Sequence, residues 1–310
     1  MWVYCKYNVY KIQEREIDMK DTVELKALAK INLGLDVTGV RENGYHDVCM
    51  VMQTIHLYDN VTIKKTAEPG IQVKTNLEYL PTNNDNIAYK AAKLLIDEFG
   101  IQDGVEIMLE KNIPVAAGLA GGSSNAAAVL VGMNDMFQLN LSQQDLMDRG
   151  VKLGADVPYC VMQGTALAEG IGEVLTPLPP MPECAILIAK PGISVSTKVV
   201  YEKLDSKPIE NHPDIAAIKD GLANKDLAKV AASLGNVLEA VTIEDYPVIE
   251  DIKDAMKEAG ALNAMMSGSG PTVFGIFENE ELAKTAAEKI KAMNIAKDIH
   301  VAEVHNTRRD

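Results

Sequence analysis

Two ionisable side chains stand where they could move a proton and hold a developing charge. Asp156 lies in Gly154-Ala155-Asp156-Val157-Pro158, which the pattern places at a helix exit. A carboxylate there, close to a phosphate, could accept the proton of an attacking hydroxyl. Lys30 lies in Ala29-Lys30-Ile31-Asn32, an apolar strand-like stretch. A lysine among apolar residues is costly to bury unless it meets an anion. It could pair with Asp156, lower the pKa of a substrate hydroxyl, or bind a phosphate. Taken singly, Asp156 also reads as a solvated loop carboxylate and Lys30 as a strand residue facing solvent. Only convergence on one point would make the pair reactive.

The anion they could serve is suggested by Pro114-Val115-Ala116-Ala117-Gly118-Leu119-Ala120-Gly121-Gly122-Ser123-Ser124. This stretch leaves a strand and enters a helix. Small residues let the backbone approach a ligand closely, and a helix start aims unpaired N–H groups and partial positive charge at it. Ser123 and Ser124 could cap the helix, donate to a phosphate, or offer hydroxyls to Mg²⁺. No Lys-Ser or Lys-Thr follows the glycines, so the pattern is not the P-loop G-x-x-x-x-G-K-[ST]. Nor are Gly118, Gly121 and Gly122 spaced as the dinucleotide fingerprint G-x-G-x-x-G. A tight strand-to-helix turn with a serine cap accounts equally well for the loop alone. A second Gly-rich turn, Ser267-Gly268-Ser269-Gly270-Pro271-Thr272, could close over the same phosphates or simply be a hairpin-like turn.

Asn43-Gly44-Tyr45-His46 opens with an Asn-Gly turn signal. Tyr45 offers a ring to stack on a base and His46 offers directed hydrogen bonds, although a loop Tyr-His is also ordinary surface. The other histidines, His56, His212, His300 and His305, show no metal-ligand spacing.

Strand-like and helix-like stretches alternate, so the class is mixed α and β. Residues 23–40 read as one strand or paired strands, and 59–65 and 105–110 as short strands. Residues 85–99 form a helix pattern, with Ile87, Ala91, Leu94, Leu95 and Phe99 on one face and Gly100 as its stop. A helix over 124–137 follows the glycines. Ser142 and Asp145 form a capping-box pattern opening a further helix that Gly154 ends. Pro177, Pro179, Pro180 and Pro182 interrupt regular structure near 176–182, where a domain boundary is expected. Beyond it the pattern predicts strands at 184–189, 272–277 and 298–304, with helices at 247–259 and 280–293.

The chain has 310 residues, with 30 Lys+Arg against 44 Asp+Glu and a formal charge of −14. That length can hold two domains and a sizeable core. With 47% hydrophobic and 24% charged residues it is neither disordered, collagen-like nor a coiled coil. The acidity argues against nucleic acid or an anionic membrane as the main partner. Cys5, Cys49, Cys160 and Cys184 are scattered without a C-x-x-C pair, which argues against a zinc site or disulfide framework and fits a reducing compartment. No apolar run reaches about 18 residues, and the N-terminus has no signal-peptide core. With a second methionine at Met19, the first eighteen residues read as an extension, an upstream start, or one more strand.

Together these motifs resemble the GHMP kinase superfamily. The resemblance rests on Ala29-Lys30-Ile31-Asn32-Leu33 and the R-x-x-G-Y-H run ending in Gly44-Tyr45-His46. It continues through Gly121-Gly122-Ser123-Ser124-Asn125-Ala126-Ala127, Gly154-Ala155-Asp156-Val157-Pro158, the 164–172 segment and Gly268-Ser269-Gly270, spanning about 22–305. It implies an α+β, two-domain fold. The N-terminal domain, over 20–175, would resemble ribosomal protein S5 domain 2, and the C-terminal domain, over 176–310, would be ferredoxin-like. Residues 1–19 would be an extension. It further implies a cytoplasmic kinase, monomeric or weakly dimeric, using ATP and Mg²⁺. The small-molecule substrate would be 4-diphosphocytidyl-2-C-methyl-D-erythritol, phosphorylated on its 2-hydroxyl on the non-mevalonate route to isoprenoid precursors. By position, Asp156 matches the family's base and Lys30 its partner lysine. Pro114 to Ser124 match the ATP phosphate loop, and Asn86 and Lys111 match positions near the adenosine. Tyr45 and His46 match the cytidine-recognising pair, and Asn32 lies beside the sugar-like part. The metal ligands are left open. Mevalonate, homoserine and sugar kinases are the rival readings within the fold; a nucleotide-binding regulator without catalysis and a plain structural protein are the rivals outside it. Ala116, Ala117 and Ala120 stand where some relatives carry glycine; negative φ there would leave ATP binding intact.

Overall fold

The computed structural model describes residues 21–309, so the expected extension over 1–19 lies outside the described residues. The first half runs β1 (Thr22–Val40), β2 (His46–Thr66), β3 (Ile71–Thr75), α1 (Ile87–Phe99) and β4 (Gly104–Glu110). It continues with α2 (Gly121–Met136), α3 (Gln143–Gly150), α4 (Val157–Met162), β5 (Thr165–Glu169) and β6 (Val174–Pro177). The second half runs β7 (Ala185–Lys190), α5 (Thr197–Leu204), α6 (Ile215–Ala223), α7 (Leu227–Ala232), β8 (Gly235–Asn236) and α8 (Glu239–Asp245). It ends with α9 (Val248–Glu258), β9 (Asn263–Met266), β10 (Val273–Phe277), α10 (Glu280–Met293) and β11 (Asp298–His305).

The framework is the long antiparallel hairpin of β1 and β2, turned at Asn43-Gly44 with Gly44 at φ +80°. Along its other edge β2 pairs in succession with β5 (Met50–Gln53), β11 (Thr54 and Ile55) and β4 (Asn60–Thr66). β3 extends the sheet beyond β4, and β11 leads through β7 and β10 to β9. One continuous path of strands therefore links the two halves, and its joint is the last two residues of β11. Helices α9 and α10 pack on the strands of the second half.

Residues 27–35 of β1 are buried without interruption. An alternating strand would show one face to water, but here α2 covers one side and α6 the other. The Lys30 ammonium is consequently inside the protein, not on the solvent face. Helix α2 is enclosed nearly all round by its Ala, Val, Leu and Met side chains. At Gly132 a Cβ would meet the Cδ1 methyls of Ile63 and Leu25 at 2.6 and 2.7 Å, so those side chains would have to shift to admit one.

Several expectations shift. The partner of the 23–40 strand is the whole of 46–66, of which only 59–65 was legible as strand. Helix α3 has its capping box, Ser142 with Asp145, but ends at Gly150 and not at Gly154. β6 includes Pro177 and pairs with β5, so the first sheet runs into the proline-rich segment; a proline is tolerated at the end of an edge strand. Among the described residues no helix is long and apolar enough to cross a membrane.

Candidate active site

The loop from β4 to α2 meets the Ser267–Thr272 turn at the base of a cleft of about 1070 Å³. That volume exceeds a usual single-ligand pocket and suits two substrates. The closest approach is at Gly118, with φ +72° and its Cα facing the Ser267 carbonyl; a Cβ there would sit 2.0 Å from that oxygen. The Gly118 carbonyl accepts from Ser267 Oγ and from Lys30 Nζ, both at 3.0 Å. Asn236 ties the turn down from beneath, donating to Met266 O (2.9 Å) and Gly268 O (2.8 Å). Gly118→Ala must therefore push the two loops apart. The expected result is a loss of about 2 kcal/mol or more in stability, from the positive φ and the clash together, with kcat lowered in step. Chemical denaturation and steady-state kinetics check it.

The loop alanines do not behave as expected. Ala116 and Ala120 have φ of +50° and +56°, so the condition of negative φ fails at both. The backbone holds them in the left-handed region, which costs a non-glycine residue about 1 kcal/mol or more. Ala120 is also the N-cap of α2 and has no side-chain cap, so neither serine caps the helix. The first helical hydrogen bond is Ser124 N–H to Ala120 O at 2.9 Å, leaving the earlier N–H groups of Gly121, Gly122 and Ser123 ahead of the ladder. These are donors for an anion.

Two loop residues point away from the cleft. Ser124 Oγ is buried and donates to Leu28 O at 2.5 Å, with Cys160 Sγ at 3.3 Å. Leu119 is buried in the second hydrophobic cluster, and its carbonyl accepts from Lys30 N–H at 3.2 Å. Both lock the loop to β1 rather than face a ligand. Ser123, Pro114, Val115, Ala116, Ala117, Gly118, Ala120, Gly121 and Gly122 do line the cleft. Burial pushes the Cys160 thiol up to about 12, so it stays protonated and inert beside the site.

Lys30 and Asp156 converge. Lys30 is 4% exposed. Its Nζ donates to Asn32 Oδ1 (2.8 Å) and Gly118 O, and lies 3.9 Å from Asp156 Oδ2. Asp156 sits at the N-cap of α4, a helix entry and not an exit, yet its carboxylate makes no cap hydrogen bond. It therefore faces the cleft one-third exposed. A separation of 3.9 Å is too long for a direct hydrogen bond, so both groups can address one reacting atom between them. Asn32, fully buried, is steadied by Met50 Sδ at 3.4 Å.

Further along, Lys111 pairs with Asp59 and donates to Asn125 Oδ1 at 2.8 Å. Asp59 is wholly buried and also accepts from the N–H groups of Asn112 (2.7 Å) and Ile113 (2.8 Å) and from Asn125 Nδ2 (2.8 Å). This network fixes the entry to the Gly-rich loop. Asn86 is the N-cap of α1, accepting from Ala88 N–H at 2.9 Å and donating to Pro81 O at 2.8 Å; it lines the cleft together with Lys111.

At the opposite end stand Tyr45, 58% exposed, and His46. Here α5 supplies residues that no motif announced: Thr197, Tyr201 and Asp205. Thr197 Oγ1 and Ser269 Oγ share a 2.8 Å hydrogen bond, which joins α5 to the second Gly-rich turn. Burial and the nearby Asp156 carboxylate push the Tyr201 phenol up to about 12. Asp59, the anchor of the Lys111 network, likewise carried no readable signal. The cleft thus offers anion donors, a lysine beside an uncapped carboxylate, and an aromatic wall.

Comparison with known proteins agrees with this arrangement. The description "GHMP kinases N terminal domain" matches residues 86–164, and "GHMP kinases C terminal" matches 215–296. The chain is 56% identical over 91% of its length to 98% of a 4-diphosphocytidyl-2-C-methyl-D-erythritol kinase from Lachnospira eligens. It is 59% identical over 87% of its length to 93% of the protein of that name from Lachnoclostridium phytofermentans. A crystal structure of a 4-(cytidine 5'-diphospho)-2C-methyl-D-erythritol kinase superposes with a TM-score of 0.79 at 31% identity, over 92% of this chain and all of the other. With the two halves of the fold, the paired Gly-rich loops and these relatives in agreement, the chain belongs to the 4-diphosphocytidyl-2-C-methyl-D-erythritol kinase family of GHMP kinases.

Proposed function

We propose that the cleft transfers the γ-phosphoryl group of ATP to the 2-hydroxyl of 4-diphosphocytidyl-2-C-methyl-D-erythritol, giving the 2-phosphate and ADP. This is a step toward isoprenoid precursors by the non-mevalonate route. The observation that carries the reading is the buried Lys30 beside the uncapped Asp156 carboxylate, held where the two Gly-rich loops touch.

Phosphoryl transfer needs positioning and charge neutralisation more than covalent chemistry. The N–H groups at the start of α2 receive the triphosphate. The adenosine end lies toward Asn86 and Lys111. The cytidine end lies between Tyr45, His46 and Tyr201, which sets the 2-hydroxyl near Asp156. Asp156 takes the proton as the oxygen attacks, and the Lys30 ammonium steadies the negative charge that develops. Lys30 is kept in place by Asn32 and the Gly118 carbonyl, so no reorientation is required during the step.

Mg²⁺ enters as part of the nucleotide substrate. Among the described residues no group of three or more His, Cys, Asp or Glu side chains gathers to hold a metal. The Ser123 hydroxyl and the Asp156 carboxylate, both in the cleft wall, are oxygen donors available to it. A hard cation here would take most of its ligands from phosphate and water. We further read the enzyme, as the family resemblance implies, as a monomer or weak homodimer working in the cytoplasm.

The test is ADP release from Mg²⁺-ATP with 4-diphosphocytidyl-2-C-methyl-D-erythritol, mevalonate, homoserine and galactose in parallel. Release with the cytidyl acceptor alone is expected; release with one of the others would overturn the acceptor assignment. His46→Ala should raise KM for the cytidyl acceptor about tenfold, the effect of one to two lost polar contacts, with KM for ATP unchanged. An equal loss of ATP affinity would place His46 elsewhere.

A further inference from the structure

His46 is held more firmly than a residue at a hairpin turn requires. Its Nε2 lies 2.7 Å from Asp205 Oδ1, and its ring packs on Tyr201 with centroids 4.6 Å apart and planes tilted by 44°. His46 opens β2 and Asp205 caps α5, so the contact joins opposite walls of the cleft. The lysines around Asp205 are engaged elsewhere: Lys203 with Asp245, Lys207 with Glu244 and Lys198 with Glu202. Asp205 is left to the imidazole.

A carboxylate only accepts hydrogen bonds, so Nε2 must carry the proton in this pair. In the neutral form of the ring the lone pair is then on Nδ1, and among the described residues no hydrogen bond reaches it. Tyr201 sets the plane of the ring and Asp205 sets its edge. The side chain is left 9% exposed in the wall of the cleft.

We propose that Asp205 is a positioning residue that sets the base specificity of the acceptor pocket. It does so by holding His46 as the Nε2–H tautomer, with Nδ1 presented as an acceptor. This rests on the acceptor assigned above. The complementary base must offer an N–H donor at that point. Cytosine offers its exocyclic amine; uracil places a carbonyl oxygen there, and two acceptors would face each other. Asp205 acts through His46 and need not touch the substrate.

The experiment is steady-state kinetics on wild type, Asp205→Ala and Asp205→Asn with the cytidine acceptor and its uridine counterpart. Asp205 is 43% exposed, so both variants are expected to fold. Asp205→Ala should raise KM for the cytidine acceptor about tenfold and leave kcat and KM for ATP within about twofold. Its preference for cytidine over uridine in kcat/KM should fall about tenfold, because the freed ring can adopt either tautomer. Asp205→Asn can bond either tautomer. It should keep KM near wild type yet lose part of the preference. An unchanged preference in Asp205→Ala, or a parallel rise in both KM values, would overturn the positioning role. If wild-type enzyme turned over neither acceptor, the acceptor assignment itself would fail and this inference with it.

Discussion

Asp156→Asn is expected to lower kcat by about 10²–10⁴-fold, the range typical for loss of a positioned general base. The substitution keeps the shape of the side chain and removes its ability to take a proton. Nothing in the fold depends on the carboxylate as a cap, since Asp156 heads α4 without a cap hydrogen bond. It is also partly exposed, so the variant should melt close to wild type. The N–H groups proposed to receive the triphosphate lie on α2 and the preceding loop, so KM for ATP should stay within about twofold. Single-turnover measurements with saturating Mg²⁺-ATP and acceptor would place the defect in the chemical step. Unchanged turnover would remove Asp156 from the role of base.

Lys30→Met should have an effect of similar size by a different route. Methionine fills most of the apolar stem and deletes the ammonium. The developing charge then loses its nearest fixed cation, and kcat should fall about 10²–10³-fold. Stability should fall as well, because Asn32 Oδ1 is left without its donor inside a buried strand and Gly118 O keeps only the Ser267 hydroxyl. Unpaired buried polar groups cost about 1–3 kcal/mol. The two losses are separable. Denaturation reports the folding term, while kcat measured on folded protein reports the catalytic one. If kcat changed by less than about threefold in folded protein, Lys30 would be a structural lysine only.

The strand bearing Lys30 and the loop from Pro114 to Ser124 were legible because their chemistry is local. Gly118 stands where a Cβ would strike the Ser267 carbonyl. A cluster of small residues before an apolar helix signals such a close approach. The direction in which each side chain points was not local. Ser123 and Ser124 are neighbours of one type, but α2 turns Ser123 to the cleft and Ser124 to the Leu28 carbonyl. That choice is set by packing of α2 on β1, which no motif encodes. The left-handed alanines show the same limit: Ala116 and Ala120 accept a conformation that their type disfavours, because contacts around the loop hold it.

The same distinction explains the missing strand. The 46–58 part of β2 mixes His, Asp, Gln and Thr among its apolar residues. Its partners change along its length, so it shows no single alternation. Helix α5 reaches the cleft through a connection that carries no motif, and Asp205 and Tyr201 therefore emerged only from the fold. Asp59 reads in sequence as the start of a short strand. Its value lies in the buried bonds it accepts from Lys111, Asn112, Ile113 and Asn125.

The most direct test is ³¹P nuclear magnetic resonance of the reaction of purified protein with Mg²⁺-ATP and 4-diphosphocytidyl-2-C-methyl-D-erythritol. The account predicts one new phosphomonoester signal per ADP formed, without three-bond proton coupling because the 2-carbon carries a methyl and no hydrogen, with the diphosphate linkage intact and the signal absent in Asp156→Asn. Free inorganic phosphate in place of that signal, or a phosphate on a different oxygen, would contradict it.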